Sequence, residues 1–555
     1  MSQYQTNINT IPATLFALGL RYAVISPGSR NAPLIMAFAR FKKIQCISVP
    51  DERTAGFIAL GMAKQLQQPT AVICTSGTAV LNLYPAIAEA YYMQIPLIVI
   101  TADRPKEMID RWDGQTIRQF GVFKPHIKLS VQTPDDLMQD EIQTIQTTCQ
   151  TLYSTTQTGV QGPVHLNVPL AEPLYAAAQS EFIYPSDSIP APTPKEAIHF
   201  TIPQFDFSQA SKVMVLMGAE MPEADIKSLK GISNNNYAVV AGDIISNKQQ
   251  YQNVVSWEGV LLNTTPEQLQ ELVPDLLITT GKMVLNKTVK QLFRKHPPKA
   301  HWHVTENGFS ADSFFTNPRV IQADNTSFFN QLEPLLQQTP SLYFETFSKG
   351  AEQHNQLADI SIHQNFNEFA AVKAVLQQLP NDLVLHLANS MSIRYAAYLS
   401  RFVKHSWELH SNRGVSGIDG CTSTAIGAAM VDPRQHVLIT GDIAFFYDIN
   451  ALWQSTLPKN IKILLLNNNS GGIFQNIDGP AGLPELNPFL STPHNLNAAL
   501  MAQHFNLPYL SVTNEASLEK TITEWLNSTE NGLLEIITDP AVNAAIFKQF
   551  KQQCI

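Results

Sequence analysis

Residues 436–472 read HVLITGDIAFFYDINALWQSTLPKNIKILLLNNNSGG. A short apolar run ends in Gly441 and Asp442, a segment of helix length follows, and a second apolar run ends in Asn467, Asn468 and Asn469. Short apolar runs separated by helical segments are typical of parallel strands in an α/β sheet. Such sheets bind ligands at the edge where the carboxyl ends of the strands meet. We therefore expect Asp442 and Asn469 to lie close together at that edge.

The residues at these two strand ends carry oxygen atoms that suit a hard cation. A carboxylate from Asp442, an amide oxygen from Asn469 and a backbone carbonyl from Gly471 are ligands of the kind that Mg²⁺ takes, often together with phosphate oxygens. The glycines would let the backbone approach a diphosphate. Turn chemistry at strand ends explains Gly-Asp and the Asn-Ser-Gly run equally well, so the spacing alone leaves both interpretations open.

The composition of the chain excludes several classes of function. The 555 residues suffice for three or four domains at about 150 residues each. Hydrophobic residues make up 44% and charged residues 15%, which excludes intrinsic disorder. The net charge of −9 argues against a nucleic-acid or anionic-membrane partner, because both require clustered Lys and Arg.

Several features favour a cytoplasmic location. The N-terminus has no Lys or Arg before Arg21, and no apolar run reaches the roughly 18 residues of a membrane span. The five cysteines are scattered without a CxxC pattern, which favours reduced thiols over disulfides or zinc: Cys46, Cys74, Cys149, Cys421 and Cys554.

Three consecutive segments show the same alternation of strand and helix. The predicted strands lie in residues 21–30, 69–78, 95–105 and 162–173, then in 213–221, 237–243, 276–282 and 300–306, and finally in 383–390, 436–442 and 461–472. The sequence therefore predicts an α/β protein of three Rossmann-like domains with mainly parallel sheets, over residues 1–180, 196–345 and 366–555.

The stretch 436–472 resembles the cofactor motif of thiamine-diphosphate enzymes, which runs Gly-Asp-Gly, some two dozen residues, then Asn-Asn. The resemblance implies thiamine diphosphate and Mg²⁺ as cofactors. The metal, for which Mn²⁺ is an alternative, would be held by Asp442, Asn469 and Gly471. It also implies that residues 1–180 bind the pyrimidine ring and residues 366–555 the diphosphate. The remaining cofactor contacts that it implies are Gly441, Ile443, Ile418 and Ser390. Ile443 replaces the third glycine of the motif.

In these enzymes a glutamate of the first domain contacts the aminopyrimidine ring of the cofactor. VPDERTAGFIALGMAKQ (49–65) supplies Glu52 at that position. A carboxyl group there would favour the imino tautomer, which removes the thiazolium C2 proton. By itself Asp51-Glu52-Arg53 also fits a capped helix start with an ion pair. Together with the Asp442 motif, the resemblance implies catalysis.

Further motifs narrow the resemblance to one family, the 2-succinyl-5-enolpyruvyl-6-hydroxy-3-cyclohexene-1-carboxylate synthases of menaquinone biosynthesis. They cover the first and third segments almost end to end: SPGSRNAPL (26–34), DERTAGFIALGMAK (51–64), TSGTAVLNLYPAIAEA (75–90), TADRP (101–105), GQTIRQFG (114–121), GPVHLNVPLAEPLY (162–175), NSMSIR (389–394) and NRGVSGIDGCTSTAIGAA (412–429). In this branch the third glycine of the metal motif is commonly absent, which agrees with Ile443.

This family implies the substrates and the reaction. The cofactor would decarboxylate 2-oxoglutarate, and the succinyl unit would add to isochorismate in a Stetter-like 1,4-addition. Both substrates are dicarboxylates, and arginine binds a carboxylate with two parallel hydrogen bonds. The family match assigns substrate contacts to Ser29, Arg30, Arg104, Gln115, Lys287, Arg394, Arg413 and Phe474. Lys282 competes with Lys287, and for any one of the cations a surface or structural role remains open.

The resemblance also implies a homodimer or a dimer of dimers, with the active site between subunits.

Two alternatives to this function stay open. One is another thiamine-dependent 2-oxo-acid decarboxylase or carboligase, although those enzymes lack the SPGSR, TADRP and NRGVSGIDG motifs. The other is a non-catalytic nucleotide-binding protein, against which the chain shows no G-x-G-x-x-G followed by an acidic residue.

Overall fold

The computed structural model describes residues 3–134, 142–176, 181–185, 198–236, 238–247, 254–262, 264–265, 267–336, 342–360, 365–477 and 479–553. The chain divides into two compact units. The first unit comprises Met1–Lys195, Asn412–Pro433 and Phe446–Lys459, and the second comprises Glu196–Ser411, Arg434–Phe445 and Asn460–Ile555.

The first unit contains a six-stranded parallel sheet in the order β2-β1-β3-β4-β6-β5. Its strands are β1 (Tyr22–Ile25), β2 (Gln45–Ser48), β3 (Thr70–Cys74), β4 (Leu97–Asp103), β5 (Leu129–Gln132) and β6 (Val164–Pro169). The helices of this segment are α1 (Gln3–Leu18), α2 (Ala32–Phe41), α3 (Glu52–Leu66), α4 (Thr78–Asn82), α5 (Tyr84–Met93) and α6 (Ile142–Gln157).

The second unit contains two further parallel sheets, of which the first has the order β12-β11-β10-β7-β8-β9. Its strands are β7 (Val213–Met217), β8 (Val239–Gly242), β9 (Val255–Ser256), β10 (Leu276–Thr280), β11 (Ala300–Thr305) and β12 (Arg319–Gln322). The helices between and after them are α7 (Glu223–Ser228), α8 (Lys230–Asn234), α9 (Trp257–Leu262), α10 (Lys287–Lys295), α11 (Asn325–Leu332) and α12 (Leu342–Ile360).

The third sheet has the order β14-β13-β15-β16-β18-β17, again with every pair parallel. Its strands are β13 (Leu383–Leu387), β14 (Glu408–His410), β15 (Gln435–Gly441), β16 (Ile461–Asn467), β17 (Tyr509–Val512) and β18 (Gly532–Ile537). The helices of this part of the chain are α13 (Glu368–Gln378), α14 (Met391–Tyr398), α15 (Cys421–Ala429), α16 (Asp442–Tyr447), α17 (Ile473–Asn476), α18 (Ala499–His504), α19 (Glu515–Asn527) and α20 (Pro540–Gln553).

The first and third sheets share one strand order, whereas the second has the order of a dinucleotide-binding fold. Central strands such as β3, β4 and β16 are buried along their whole length, because helices cover both faces of a parallel sheet. The prediction of an α/β protein with three Rossmann-like parallel sheets is confirmed. The proposed domain limits, 1–180, 196–345 and 366–555, stay a prediction; positions 180 and 196 and Cys554 lie outside the described residues.

Helix α3 packs against α15 within the first unit at unusually short range. A Cβ atom on Gly61 would lie 2.1 Å from the backbone oxygen of Thr424, and one on Gly427 would lie 2.1 Å from that of Ile58. Only glycine permits two helix backbones to approach so closely. This contact fixes the axis of α3, whose first residue is Glu52. Across the described residues, none of the helices has the length and apolarity that a membrane crossing demands.

Candidate active site

Three of the predicted site segments follow neighbouring strands of the third sheet. Strand β15 pairs with β13 on one side and with β16 on the other, and all three run in parallel. Ser390 therefore follows β13, Asp442 follows β15 and Asn469 follows β16 at one edge of the sheet. The adjacent positions of Asp442 and Asn469 are those that the spacing in residues 436–472 predicts.

Asp442 is the first residue of α16, and its buried carboxylate accepts three backbone hydrogen bonds. Oδ1 accepts from the N–H of Ile443 at 2.7 Å, and Oδ2 accepts from the N–H groups of Asn468 and Ser470, each at 3.1 Å. Burial raises the pKa of Asp442, and these hydrogen bonds oppose the increase. The carboxylate thus joins the two strand ends, with backbone groups as its partners.

The backbone of Asn469 is held by hydrogen bonds on both sides. Its φ is +58°, its N–H donates to Oδ1 of Asn467 at 3.0 Å, and its carbonyl oxygen accepts from the N–H of His494 at 3.0 Å. The imidazole Nε2 of His494 is 3.4 Å from Oδ2 of Asp442. His494 therefore contacts two of the three predicted metal residues, Asp442 and Asn469, although no motif in the sequence points to it.

Gly471 and Phe474 belong to the turn that follows. The N–H of Gly471 donates to the carbonyl of Ser491 at 2.6 Å, and the carbonyl of Gly471 accepts from the N–H of Phe474 at 3.3 Å. Phe474 lies in the short helix α17 and is half-buried. Phe474, the proposed apolar wall, therefore lies close in sequence to Gly471, a proposed metal ligand, and a backbone hydrogen bond joins the two.

A buried carboxyl group that the sequence analysis missed lies beneath this edge. Oε1 of Glu368 accepts from Nδ2 of Asn468 at 2.8 Å, and Oε2 accepts from the hydroxyl of Tyr395 at 3.0 Å. Burial, with a further contribution from the charge of Asp442, raises the pKa of Glu368 to about 7. Glu368 stands at the start of α13 without a recognisable motif, and only the tertiary contact to Asn468 identifies it.

The edge of the third sheet has the chemistry that a metal-bound diphosphate needs. Among the described residues, the buried Oδ1 of Asn468 and Oγ of Ser470 have no hydrogen-bond partner in the protein. A Cβ atom on Gly441 would meet no other atom within 4 Å, so the strand end opens into space. Within the described ranges, no group of three or more His, Cys, Asp or Glu side chains could hold a metal. One carboxylate with amide and carbonyl oxygens fits Mg²⁺ completed by phosphate oxygens better than it fits zinc.

Ser390 and Arg394 lie together at the neighbouring strand end. Ser390 precedes α14 with a φ of +74°, and its carbonyl accepts from an Nη of Arg394 at 2.6 Å. Backbone strain of this kind concentrates at functional sites. The Arg394 guanidinium is half-buried, so part of its desolvation cost is already met before a ligand anion binds.

In the first unit, Glu52 follows β2 and opens α3. Oδ1 of Asp51 accepts from the N–H groups of Arg53 and Thr54 at 2.9 and 3.3 Å, which is a helix N-cap. Nδ2 of Asn82 is 3.4 Å from Oε2 of Glu52. The capped helix start that the sequence left open is therefore present, and it orients the Glu52 side chain as well.

Two of the predicted substrate arginines are buried and held by backbone oxygens. Arg30 donates to the carbonyl of Leu170 at 2.9 Å and lies 3.7 Å from the carboxylate of Glu172. The hydroxyl of Ser29, next to it, is 2.9 Å from that of Tyr175. Residues 170–175 therefore pack on the turn that carries Ser29 and Arg30.

Arg104 follows β4 and joins two loops. It donates to the hydroxyl of Ser76 and, at 3.2 Å, to the carbonyl of Gln115, and its Nε is 3.1 Å from Asp113. Gln115 itself is exposed with a φ of +56°. Arg30 and Arg104 thus follow strands of one sheet at the same edge as Glu52.

The remaining predicted residues belong to other segments of the chain. Arg413 and Ile418 belong to a loop of the first unit, residues 412–420, and both are half-buried. In the second unit, Lys287 is exposed as the first residue of α10. Lys282 is ion-paired with Glu220 at 2.8 Å.

Comparisons with known proteins give the class of the protein. Residues 8–122 match the family "Thiamine pyrophosphate enzyme, N-terminal TPP binding domain", and residues 392–536 match "Thiamine pyrophosphate enzyme, C-terminal TPP binding domain". Thiamine pyrophosphate is another name for thiamine diphosphate. The first match includes Glu52, and the second includes Asp442 and Asn469. The class is therefore that of the thiamine-diphosphate enzymes.

Curated relatives over the full length narrow the class to one family. A 2-succinyl-5-enolpyruvyl-6-hydroxy-3-cyclohexene-1-carboxylate synthase from Cytophaga hutchinsonii is 38% identical over 98% of both chains. A synthase of the same name from Flavobacterium johnsoniae is 36% identical over 96% of both chains. Another, from Bacteroides fragilis, is 34% identical over 99% of this chain and 98% of the relative. The chain belongs to the family of 2-succinyl-5-enolpyruvyl-6-hydroxy-3-cyclohexene-1-carboxylate synthases, as its motifs predict.

Proposed function

We propose that the protein decarboxylates 2-oxoglutarate and transfers the succinyl unit to isochorismate, with thiamine diphosphate and Mg²⁺, as a step of menaquinone biosynthesis. The products are 2-succinyl-5-enolpyruvyl-6-hydroxy-3-cyclohexene-1-carboxylate and CO₂. The observation that carries the proposal is the edge of the third sheet, where the Asp442 carboxylate joins the ends of β15 and β16 in a chain that belongs to this synthase family.

Asp442, Asn469 and the carbonyl of Gly471 are the residues that would hold Mg²⁺, with Mn²⁺ as an alternative. The partnerless oxygens of Asn468 and Ser470 and the open face of Gly441 support a bound diphosphate there. The backbone hydrogen bonds to Asp442 keep its carboxylate in one orientation, which lowers the entropic cost of binding the metal.

Bound thiamine diphosphate supplies a nucleophilic carbon that makes decarboxylation of a 2-oxo acid possible. The role proposed for Glu52 is to hold a proton at the pyrimidine ring of the cofactor. Its helix start is rigid, because Asp51 caps it and α3 packs on α15 through two glycines. Ile418 is proposed to support the cofactor, and Gly441, Ile443 and Ser390 are proposed to line its site.

The substrates carry two carboxylates each, and the proposed contacts are mainly cationic. Arg30, Arg104, Arg394 and Arg413 are each buried or half-buried, so their charges are poorly screened by water and attract an anion strongly. Ser29 and Gln115 would add neutral hydrogen bonds, Phe474 an apolar wall, and Lys287 a cation for isochorismate.

We further propose a cytoplasmic homodimer, or a dimer of dimers, in which Glu52 of one chain acts with Asp442 of its partner. A Glu52→Gln chain and an Asp442→Ala chain, each inactive alone, should then regain activity when mixed, because one of the two sites in a mixed dimer is intact. An active monomer, measured by light scattering under assay conditions, would contradict the proposal.

The nearest alternative is a different thiamine-dependent decarboxylase or carboligase. The test compares CO₂ release from 2-oxoglutarate and from pyruvate, each with and without isochorismate. We expect release from 2-oxoglutarate, accelerated by isochorismate, and little release from pyruvate. Preference for pyruvate, or indifference to isochorismate, would favour the alternative. A non-catalytic nucleotide-binding protein would release no CO₂ at all.

A further inference from the structure

The loop that carries Arg413, residues 412–420, is held by a buried glutamate of α5. Oε1 of Glu89 accepts from the N–H of Gly414 and Oε2 accepts from the N–H of Val415, each at 2.7 Å. The backbone of Ser416 also lowers the pKa of this carboxyl group. Successive backbone N–H groups around one anion form a nest, a geometry that favours negative charge. Glu89 is only 3% exposed, so it is the resident anion of this nest.

Burying the charge of Glu89 costs free energy, so the groups that compensate this cost indicate what the side chain does. Burial raises the pKa of the carboxyl group, while the N–H groups of the loop and the nearby ammonium group of Lys64 lower it. Lys64 belongs to α3 and is itself only 3% exposed. A buried charge is tolerated when several donors and an opposite charge compensate it. An apolar contact could attach the loop, but it would not fix the orientation of two successive peptide groups.

The loop needs such a constraint because its backbone is strained. Ser416 has a φ of +68°, and a non-glycine residue occupies this region at a cost of about 1–3 kcal/mol. Gly414 has no room for a side chain, since a Cβ atom there would lie 2.7 Å from the backbone oxygen of Glu89. At the ends of the loop, Nδ2 of Asn412 donates to the carbonyl of Gly420 at 3.4 Å.

We propose that Glu89 is a positioning residue, whose carboxylate holds the 412–420 loop in the conformation that presents the guanidinium of Arg413 to a substrate carboxylate. Arg413 directly precedes Gly414, so its Cα position follows the peptide group that Glu89 binds. The inference rests on the proposed function, because only there does Arg413 meet a substrate. A misplacement of about 1 Å can reduce a rate by roughly 10²-fold.

The test is a double-mutant cycle on the cofactor-loaded enzyme, with Glu89→Gln, Arg413→Ala and the double variant. Glutamine keeps the size of the side chain but replaces one acceptor oxygen with an N–H donor that faces the loop. We expect Glu89→Gln to raise the Michaelis constant for at least one of the two substrates by about tenfold. In the Arg413→Ala background the same change should have little further effect, because coupled residues are non-additive. Glu181→Gln, an exposed change in the same unit, is the matched control and should leave both Michaelis constants unchanged.

Two results would overturn the inference: unchanged Michaelis constants for both substrates in Glu89→Gln, or an equal penalty with and without Arg413. If Glu89→Gln does not fold, Gly414→Ala decides, because it keeps the Glu89 carboxylate and forces the loop away from the backbone of α5. The same rise in the Michaelis constant and the same loss of effect in the Arg413→Ala background are then required. Failure of the proposed function is distinguishable, since the wild-type enzyme would then form no product from the two substrates.

Discussion

Asn450 donates a hydrogen bond from Nδ2 to Oδ2 of Asp51 at 2.7 Å, across 399 residues of sequence. Asp51 thereby does two things, because its Oδ1 also caps α3. On the other side of Glu52, Arg53 donates to the carbonyl of Tyr447 at 2.8 Å. Both neighbours of Glu52 are therefore tied to the segment Phe446–Lys459 of the same unit, so the first turn of α3 has little freedom.

The rigid position of Glu52 gives the first prediction. Glu52→Gln should reduce turnover by roughly 10²–10⁴-fold with an unchanged unfolding midpoint, because an amide cannot hold the proton at the cofactor ring. Steady-state product formation and urea unfolding measure the two quantities. Glu107→Gln, an exposed change in the same unit, serves as the control. Retention of more than about a tenth of the wild-type turnover would refute the role.

The second prediction concerns the metal. Asp442→Ala should weaken Mg²⁺-dependent binding of thiamine diphosphate by more than the roughly 10–100-fold that loss of an outer-shell partner costs a metal site. Calorimetric titration of the cofactor with and without Mg²⁺ measures this. Glu519→Ala, on an exposed face of α19, should bind the cofactor normally. Unchanged cofactor affinity in Asp442→Ala would exclude this residue as a metal ligand.

The contact between Lys282 and Glu220 separates the two candidate lysines of the second sheet. Lys287→Ala should raise the Michaelis constant for isochorismate and leave decarboxylation of 2-oxoglutarate nearly unchanged, because an exposed cation that binds only the second substrate acts on that constant alone. Lys282→Ala should instead lower the free energy of unfolding by about 1 kcal/mol through loss of its ion pair. The reverse pattern in the two variants would transfer the substrate role to Lys282.

A pH prediction follows from Asp448, which accepts from the N–H and the hydroxyl of Ser423, both at 2.8 Å. Burial raises the pKa of Asp448 from 3.8 to about 6. The folded state then binds a proton that the unfolded state has released, so this stabilisation is present below pH 3.8 and is lost as the pH rises through about 6. Relative to Asp448→Asn, the wild-type free energy of unfolding should fall by up to about 3 kcal/mol across that window. Urea unfolding at pH 4 and pH 7 measures the difference between the two proteins, and a constant difference would contradict the prediction.

The sequence predicts the interior of each sheet better than its edges. Strands such as β3, β10 and β16 are buried along their length and appear as continuous apolar runs. None of the six edge strands was predicted, because they are short and partly exposed: β2, β5, β9, β12, β14 and β17. The interior strand β18 was also missed, although it is nearly fully buried.

The same contrast holds for the candidate site. Asp442 and Asn469 could be recognised because their relation depends on one strand–helix–strand unit, which is local in sequence. Glu368 contacts Asn468 across 100 residues, and Glu89 contacts Gly414 across 325. No periodicity or spacing encodes such contacts, since they arise only when distant elements pack. Residues that position a site from beneath are therefore the ones that sequence reasoning misses.

The most direct test of the proposed reaction is mass analysis of the product formed from uniformly carbon-labelled 2-oxoglutarate and unlabelled isochorismate, with thiamine diphosphate and Mg²⁺. We expect one adduct whose mass equals the sum of both substrates less CO₂, with every labelled carbon retained except the carboxyl carbon released as gas. The enolpyruvyl group of isochorismate should remain unlabelled and intact. Labelled succinate semialdehyde as the only product, with isochorismate unconsumed, would contradict the proposed reaction.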